Sequence, residues 1–136
     1  MTLDANELFK STTYAAKLRF YPAPQAIKPR KFKNVALGPT LAVGTPVAYD
    51  TSTNNWVVWA QAGINETNLI KGFVWPDPIV LHATNEMIGN VMIMGSLHRA
   101  DVVLPVGETS GNLDTALQDK IIKEQGFIVE GLPKTR

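Results

Sequence analysis

The sequence predicts a mainly β fold: a small domain of short hairpins with one C-terminal helix and an extended N-terminal arm. Three observations predict it. Its apolar runs are short, rich in Val and Ile, and bounded by Gly, Pro or polar residues, the signature of strands. Turn signals such as Leu37-Gly38-Pro39, Val43-Gly44-Thr45-Pro46 and Pro76-Asp77-Pro78 recur between these runs. The charge is divided along the chain. Residues 1–34 carry seven Lys/Arg against Asp4 and Glu7, a net +5, whereas residues 35–136 carry six Lys/Arg against ten Asp/Glu, a net −4. A basic arm on a mildly acidic body is the pattern to explain.

Residues 1–34 read as the arm. Leu3 to Leu18 has scattered apolar positions but no sustained stripe. Pro22, Pro24 and Pro29 exclude a helix and a central strand and favour extended backbone. Leu18, Phe20 and Tyr21 on an extended segment suit addition to a sheet edge or a groove. A plain linker is the competing reading, although linkers rarely place Phe beside Tyr.

The body spans residues 35–136. Leu37-Gly38-Pro39 and Val43-Gly44-Thr45-Pro46 are turn signals. Pro46 to Tyr49 predicts a strand, Asp50 to Asn55 a polar turn, and Trp56 to Ala60 the returning strand of a hairpin. Leu69 to Trp75 is a third strand, cut by Pro76-Asp77-Pro78, and Ile79 to His82 a fourth. The run from Asn90 to Pro105 is the central strand. It holds two apolar segments, Val91 to Met94 and Val102 to Leu104, parted by Gly95-Ser96 and a polar break at His98, Arg99 and Asp101. A glycine inside such a run marks a bulge or a close backbone approach. A helix follows over about 112–125, with Asn112 as N-cap, Asp114 in the first turn, a Leu113–Leu117–Ile121 stripe and an Asp119–Lys123 pair. Gly126 is placed to end it, and Phe127 to Glu130 reads as a last strand. Strands this short, with frequent turns, indicate a small barrel or clip of paired hairpins.

The composition excludes several chemistries. There is no cysteine, so disulfides, a thiol nucleophile and zinc–thiolate sites are ruled out. No apolar run approaches the roughly 18 residues of a membrane helix, and no membrane partner is expected. The first residues lack a signal peptide's basic and apolar regions, so synthesis in a cytoplasm is expected. His82 and His98 are the only histidines, too few for a metal site without a carboxylate cluster. His98-Arg99-Ala100-Asp101 lacks the adjacent His-Arg-Asp of a kinase catalytic loop. Gly107 to Gly111 matches neither a phosphate-binding loop nor a nucleophile elbow. No cofactor, metal ligand or catalytic residue is expected. Trp56 and Trp59, three apart, point to opposite faces of one strand, so at least one is expected at the surface or in a subunit contact.

The order of these elements resembles the head decoration (capsid cement) proteins of tailed bacteriophages, of the phage lambda decoration-protein type. The matching parts are the Gly44-Thr45-Pro46-Val47 lead-in, the Val47-Ala48-Tyr49-Asp50 strand into a polar turn, and the aromatic return strand at Trp56. Lys71-Gly72-Phe73-Val74 stands where the family has an alanine-glycine-isoleucine-leucine strand. Val91 to Val103, with Gly95 leading into Arg99-Ala100-Asp101, resembles its valine-arginine-glycine-alanine-glutamate-valine strand. A late helix and Phe127-Ile128-Val129 complete a match over about residues 40–130.

The resemblance implies a β-clip or β-tadpole fold without enzymatic activity. It implies homotrimers at threefold and quasi-threefold positions on the outer surface of the expanded virion head. There the arm orders against the major capsid protein and the trimer stabilises the shell against internal DNA pressure. On this reading Leu18, Arg19, Phe20, Tyr21, Ile27, Lys28, Arg30, Lys31 and Lys33 dock on the capsid, and Trp59, Trp75 and Arg99 make trimer contacts. This arm is longer and more basic than that of the lambda protein. The alternative is a single-stranded nucleic-acid-binding β-barrel that uses the basic arm and the tryptophans; the acidic body argues against it.

Overall fold

The computed structural model describes residues 25–32, 40–82 and 85–133. Eight strands are present: β1 (Ala26–Phe32), β2 (Thr40–Leu41), β3 (Pro46–Asp50), β4 (Asn55–Val58), β5 (Gly72–Val74), β6 (Ile79–Val80), β7 (Met87–His98) and β8 (Phe127–Glu130). A 3-10 turn, Arg99–Asp101, follows β7, and two short helices, α1 (Ser110–Gln118) and α2 (Lys120–Glu124), precede β8. The protein is mainly β, as its short apolar runs require.

The principal sheet has the order β1-β4-β3-β5-β7-β8, and β1 pairs with β7 as well. Five strands therefore close on one another, and β2 with β6 forms a separate two-stranded ladder. The β3–β4 hairpin forms where the sequence places it, with Val47 opposite Val58 and Tyr49 opposite Trp56. The twelve-residue β7 is the organising strand. It pairs with β1 and β5 in antiparallel and with β8 in parallel fashion.

Alternation along the strands divides the interior in two. Val47, Val74 and Val91 face one cluster, completed by Phe32, Leu41 and Ile79. Their neighbours Ala48, Phe73 and Met92 face another, completed by Trp59, Phe127 and helix residues such as Leu113 and Leu117. Phe73 and Phe127 meet edge to face at 5.1 Å, an arrangement that adds about 1 kcal/mol to simple burial.

Three expectations are corrected here. The first concerns the arm, whose boundary was expected at residue 34. Ala26–Phe32 is instead a full strand of the closed sheet, and Phe32 is 1 % exposed. Pro29 fits because its register partner Asn90 accepts a bond from Trp75 N–H on the opposite edge of β7. Pro29 thus occupies a non-hydrogen-bonded position of the β1–β7 ladder, where its missing N–H costs nothing.

The second concerns the helix expected over about 112–125, which is two helices. Asp119 adopts an extended conformation (φ −62°, ψ 141°), and its carboxylate accepts from Ile121 N–H to start α2. Asp is a better N-cap than helix-interior residue, so it breaks the helix rather than pairing with Lys123. The break carries Ile122 into the core in place of Ile121. At the other end Thr109, not Asn112, caps α1, its hydroxyl accepting from Asn112 N–H at 3.2 Å. Gly126 ends α2 as expected, at φ +95°.

The third concerns Val102 to Leu104, which is not part of the central strand. The 3-10 turn ends β7, and Val103 N–H then donates to Gly44 O at 2.9 Å. Gly44 is required there: at φ +91°, a β-carbon would lie 1.9 Å from Asp101 O.

Candidate functional site

The residues expected to dock divide into two groups. Leu18, Arg19, Phe20, Tyr21 and Lys33 lie outside the described residues. Ile27, Lys28, Arg30 and Lys31 lie on β1, brought by its antiparallel pairing onto the first half of β7. Alternation sends Phe32 into the core, with Arg30 on the same face. The Arg30 guanidinium sits 5.5 Å from the centre of the Trp56 ring. That contact adds about 0.5–1 kcal/mol at a site of this exposure. Trp56 also meets Tyr49 at 5.9 Å.

Ile27, Pro29 and Lys31 occupy the opposite face of β1 and are exposed. Register places Ile88, 73 % exposed, beside Lys31, and Asn90 beside Pro29. Lys31 pairs with Glu86 at 3.4 Å, both side chains about half exposed. Solvent screening limits such a pair to at most about 1 kcal/mol. The β1–β7 ribbon thus presents Ile27, Pro29 and Ile88 with charged groups at its margin, and Lys28 is exposed nearby. Ile88 was not singled out from the sequence. The signal available was its alternation with Asn90 ahead of the apolar Val91 to Met94 run.

The residues expected at a trimer contact are not brought together. Trp59 is 1 % exposed, and its indole N–H donates to Asn68 O at 2.9 Å. It has no surface to offer another copy, so that expectation is corrected. The returning strand ends at Val58, so Trp59 turns inward to close the core beneath the helices. Trp56 is the half-buried one of the two. Trp75 is also half buried and packs against the same core.

Arg99 does structural work within the chain. Its guanidinium pairs with the Asp114 carboxylate and also donates to Val102 O and Ser110 Oγ, tying the 3-10 turn to α1. His98 accepts from Ala100 N–H through Nδ1 at 3.0 Å and caps that turn. Among the described residues no three His, Asp or Glu side chains are grouped to hold a metal ion.

A separate apolar groove of about 430 Å3 is floored by Leu41 and Trp59 and rimmed by Val103, Leu104 and Val106. No protein-family model matches the sequence, and no curated protein matches it.

Proposed function

We propose that the protein is a capsid decoration protein that binds the outer surface of an expanded phage head as a trimer and stabilises the shell. The observation that carries this reading is the β1–β7 ribbon: Ile27, Lys28 and Lys31, expected to dock on the capsid, lie on a strand locked into the closed sheet and are exposed to a partner such as the major capsid protein. The exposed Ile27, Pro29 and Ile88 beside Lys28 and Lys31 give that partner a mixed apolar and basic surface. The order of strands and the late helical region, which suggested the resemblance, support the same reading. Three ribbons in one trimer would reinforce one another through effective concentration.

The test is co-sedimentation of the purified protein with expanded, undecorated heads and with unexpanded procapsids. Saturable binding to expanded heads alone is expected. Binding to neither particle would refute the proposal.

A further inference from the structure

The residues expected at a trimer contact are turned inward or tied within the chain, but an open apolar surface lies over the groove floored by Leu41 and Trp59. Those two are buried and only support it from beneath. Its exposed lining comes from two segments. Thr40 and Ala42 belong to one; Val103 and Leu104, 37 % and 41 % exposed, belong to the other. Val103 N–H donates to Gly44 O at 2.9 Å and ties the segments together. Among the described residues no Lys or Arg lines this surface. Its one carboxylate, Glu108, is engaged, accepting from Gln61 N–H at 3.2 Å. A partner seated here is therefore apolar and uncharged. The surface shares no residue with the β1–β7 ribbon, so both can be occupied at once.

The chain itself carries such a partner. Val106 is 105 % exposed. It stands on a tight turn closed by Glu108 N–H donating to Pro105 O at 3.1 Å, with Gly107 at φ +89°. The bond from Gln61 N–H to the Glu108 carboxylate fastens that turn to the next loop. Val106 is thus a preorganised apolar knob, and burying it costs little conformational entropy. Knob and surface lie side by side. Val106 follows Leu104 by two residues, at most about 7 Å of chain. In a head-to-tail ring the knob of one copy meets the surface of the next. The separation of the two within a chain then equals the spacing of equivalent surface points on neighbouring copies. For three copies this puts the contact about 4 Å from the axis, which suits a small closed ring.

We infer that copies of this chain associate head to tail in a ring of three, Val106 of each packing on the Ala42 and Leu104 surface of the next. The number three rests on the trimer of the proposed function; the choice of surface rests on these exposures and on the turn that presents Val106.

The test is sedimentation equilibrium of the full chain up to high micromolar concentration. Trimers are expected. Val106→Asp, at a fully exposed position, is expected to weaken association by about tenfold or more with an unchanged urea midpoint. Ile88→Asp on the β1–β7 ribbon is expected to leave association as it is. The absence of cysteine allows a direct check. A Val106→Cys chain oxidised together with a Thr40→Cys chain is expected to give a disulfide between the two several-fold more efficiently than an Ile128→Cys chain with the same partner. A native chain that stays monomeric or forms dimers, association insensitive to Val106→Asp, or equal cross-linking in both mixtures overturns the inference. Co-sedimentation with heads separates this contact from the capsid role. Head binding by a chain whose association ignores Val106→Asp refutes this surface alone, and trimers broken by Val106→Asp that bind no head refute the capsid role alone.

Discussion

Replacing Phe32 with Ala tests whether β1 belongs to the folded body. Phe32 is 1 % exposed and packs with Leu41, Val47, Val74, Ile79 and Val91. Nearly all of its ring is withdrawn from water, so the full transfer term of about 2–3 kcal/mol applies. The void left in a closed cluster adds to this, giving about 3–5 kcal/mol for Phe→Ala. With a urea dependence of about 1.5 kcal/mol per molar, the unfolding midpoint should fall by about 2–3 M. Circular dichroism and tryptophan fluorescence should report one coincident transition, because Trp59 and Phe32 lie on opposite faces of one sheet. Should Phe32→Ala leave no folded protein, Phe32→Leu provides a milder step of about 1 kcal/mol. An appended arm would behave differently: a substitution there changes stability by less than about 0.5 kcal/mol. A midpoint shift for Phe32→Ala below about 0.5 M, or a separate early transition, would refute the placement of β1 in the core.

Three further outcomes are expected. Trp59→Phe should destabilise the chain by about 1–2 kcal/mol through loss of the indole bond to Asn68 O, with no change in sedimentation coefficient; a change in assembly at unchanged stability would contradict its core position. Arg99→Ala and Asp114→Ala, singly and together, should show a coupling of about 1–2 kcal/mol in urea unfolding, since both side chains are about four-fifths buried; strict additivity would show that the pair contributes nothing. The Ser52 hydroxyl and then the Ser52 N–H, both donating to Asp50, hold its carboxyl below the ordinary value of 3.8. The sign follows: this turn's contribution is present above that value and is lost as pH falls through the lowered one. A carboxyl NMR titration of Asp50 should show a midpoint under 3.8 that rises in Ser52→Ala; a midpoint at or above 3.8 in the native chain would contradict the hydrogen-bond assignment.

The hairpin, the organising strand and the last strand were legible because each depends on local alternation and turn chemistry. Pro46 to Asp50, Asn55 to Val58 and Phe127 to Glu130 carry their signals within a few residues. β1 was not legible. Its charged residues and Pro29 argue against a strand when read alone, and only the register against Asn90 shows where the proline's missing N–H falls. The break at Asp119 was hidden for a similar reason: the Leu113–Leu117–Ile121 spacing satisfies one helix, while capping by Asp119 and burial of Ile122 satisfy two. Strand alternation left at least one of Trp56 and Trp59 at the surface; Trp59, named for a trimer contact, is buried because β4 ends one residue before it. Of the surface formed by β1 and β7, the basic half was visible in composition. Ile88 was not, because its short alternation with Asn90 does not mark an outer face until the pairing with Lys31 and Pro29 places it.

The pairing of β1 with β7 has a mechanical consequence. Seven residues of β1 lie in antiparallel register along β7, from Ala26 opposite Met94 to Phe32 opposite Met87. Tension drawn on Gln25 along the strand axis loads this whole ladder at once, in shear, so its bonds share the force. β8 is held to β7 by four register positions, and a force lifting it sideways opens them in succession. One chain end is thus anchored to yield only as a unit, while the other can peel residue by residue, although both are fastened to the same strand.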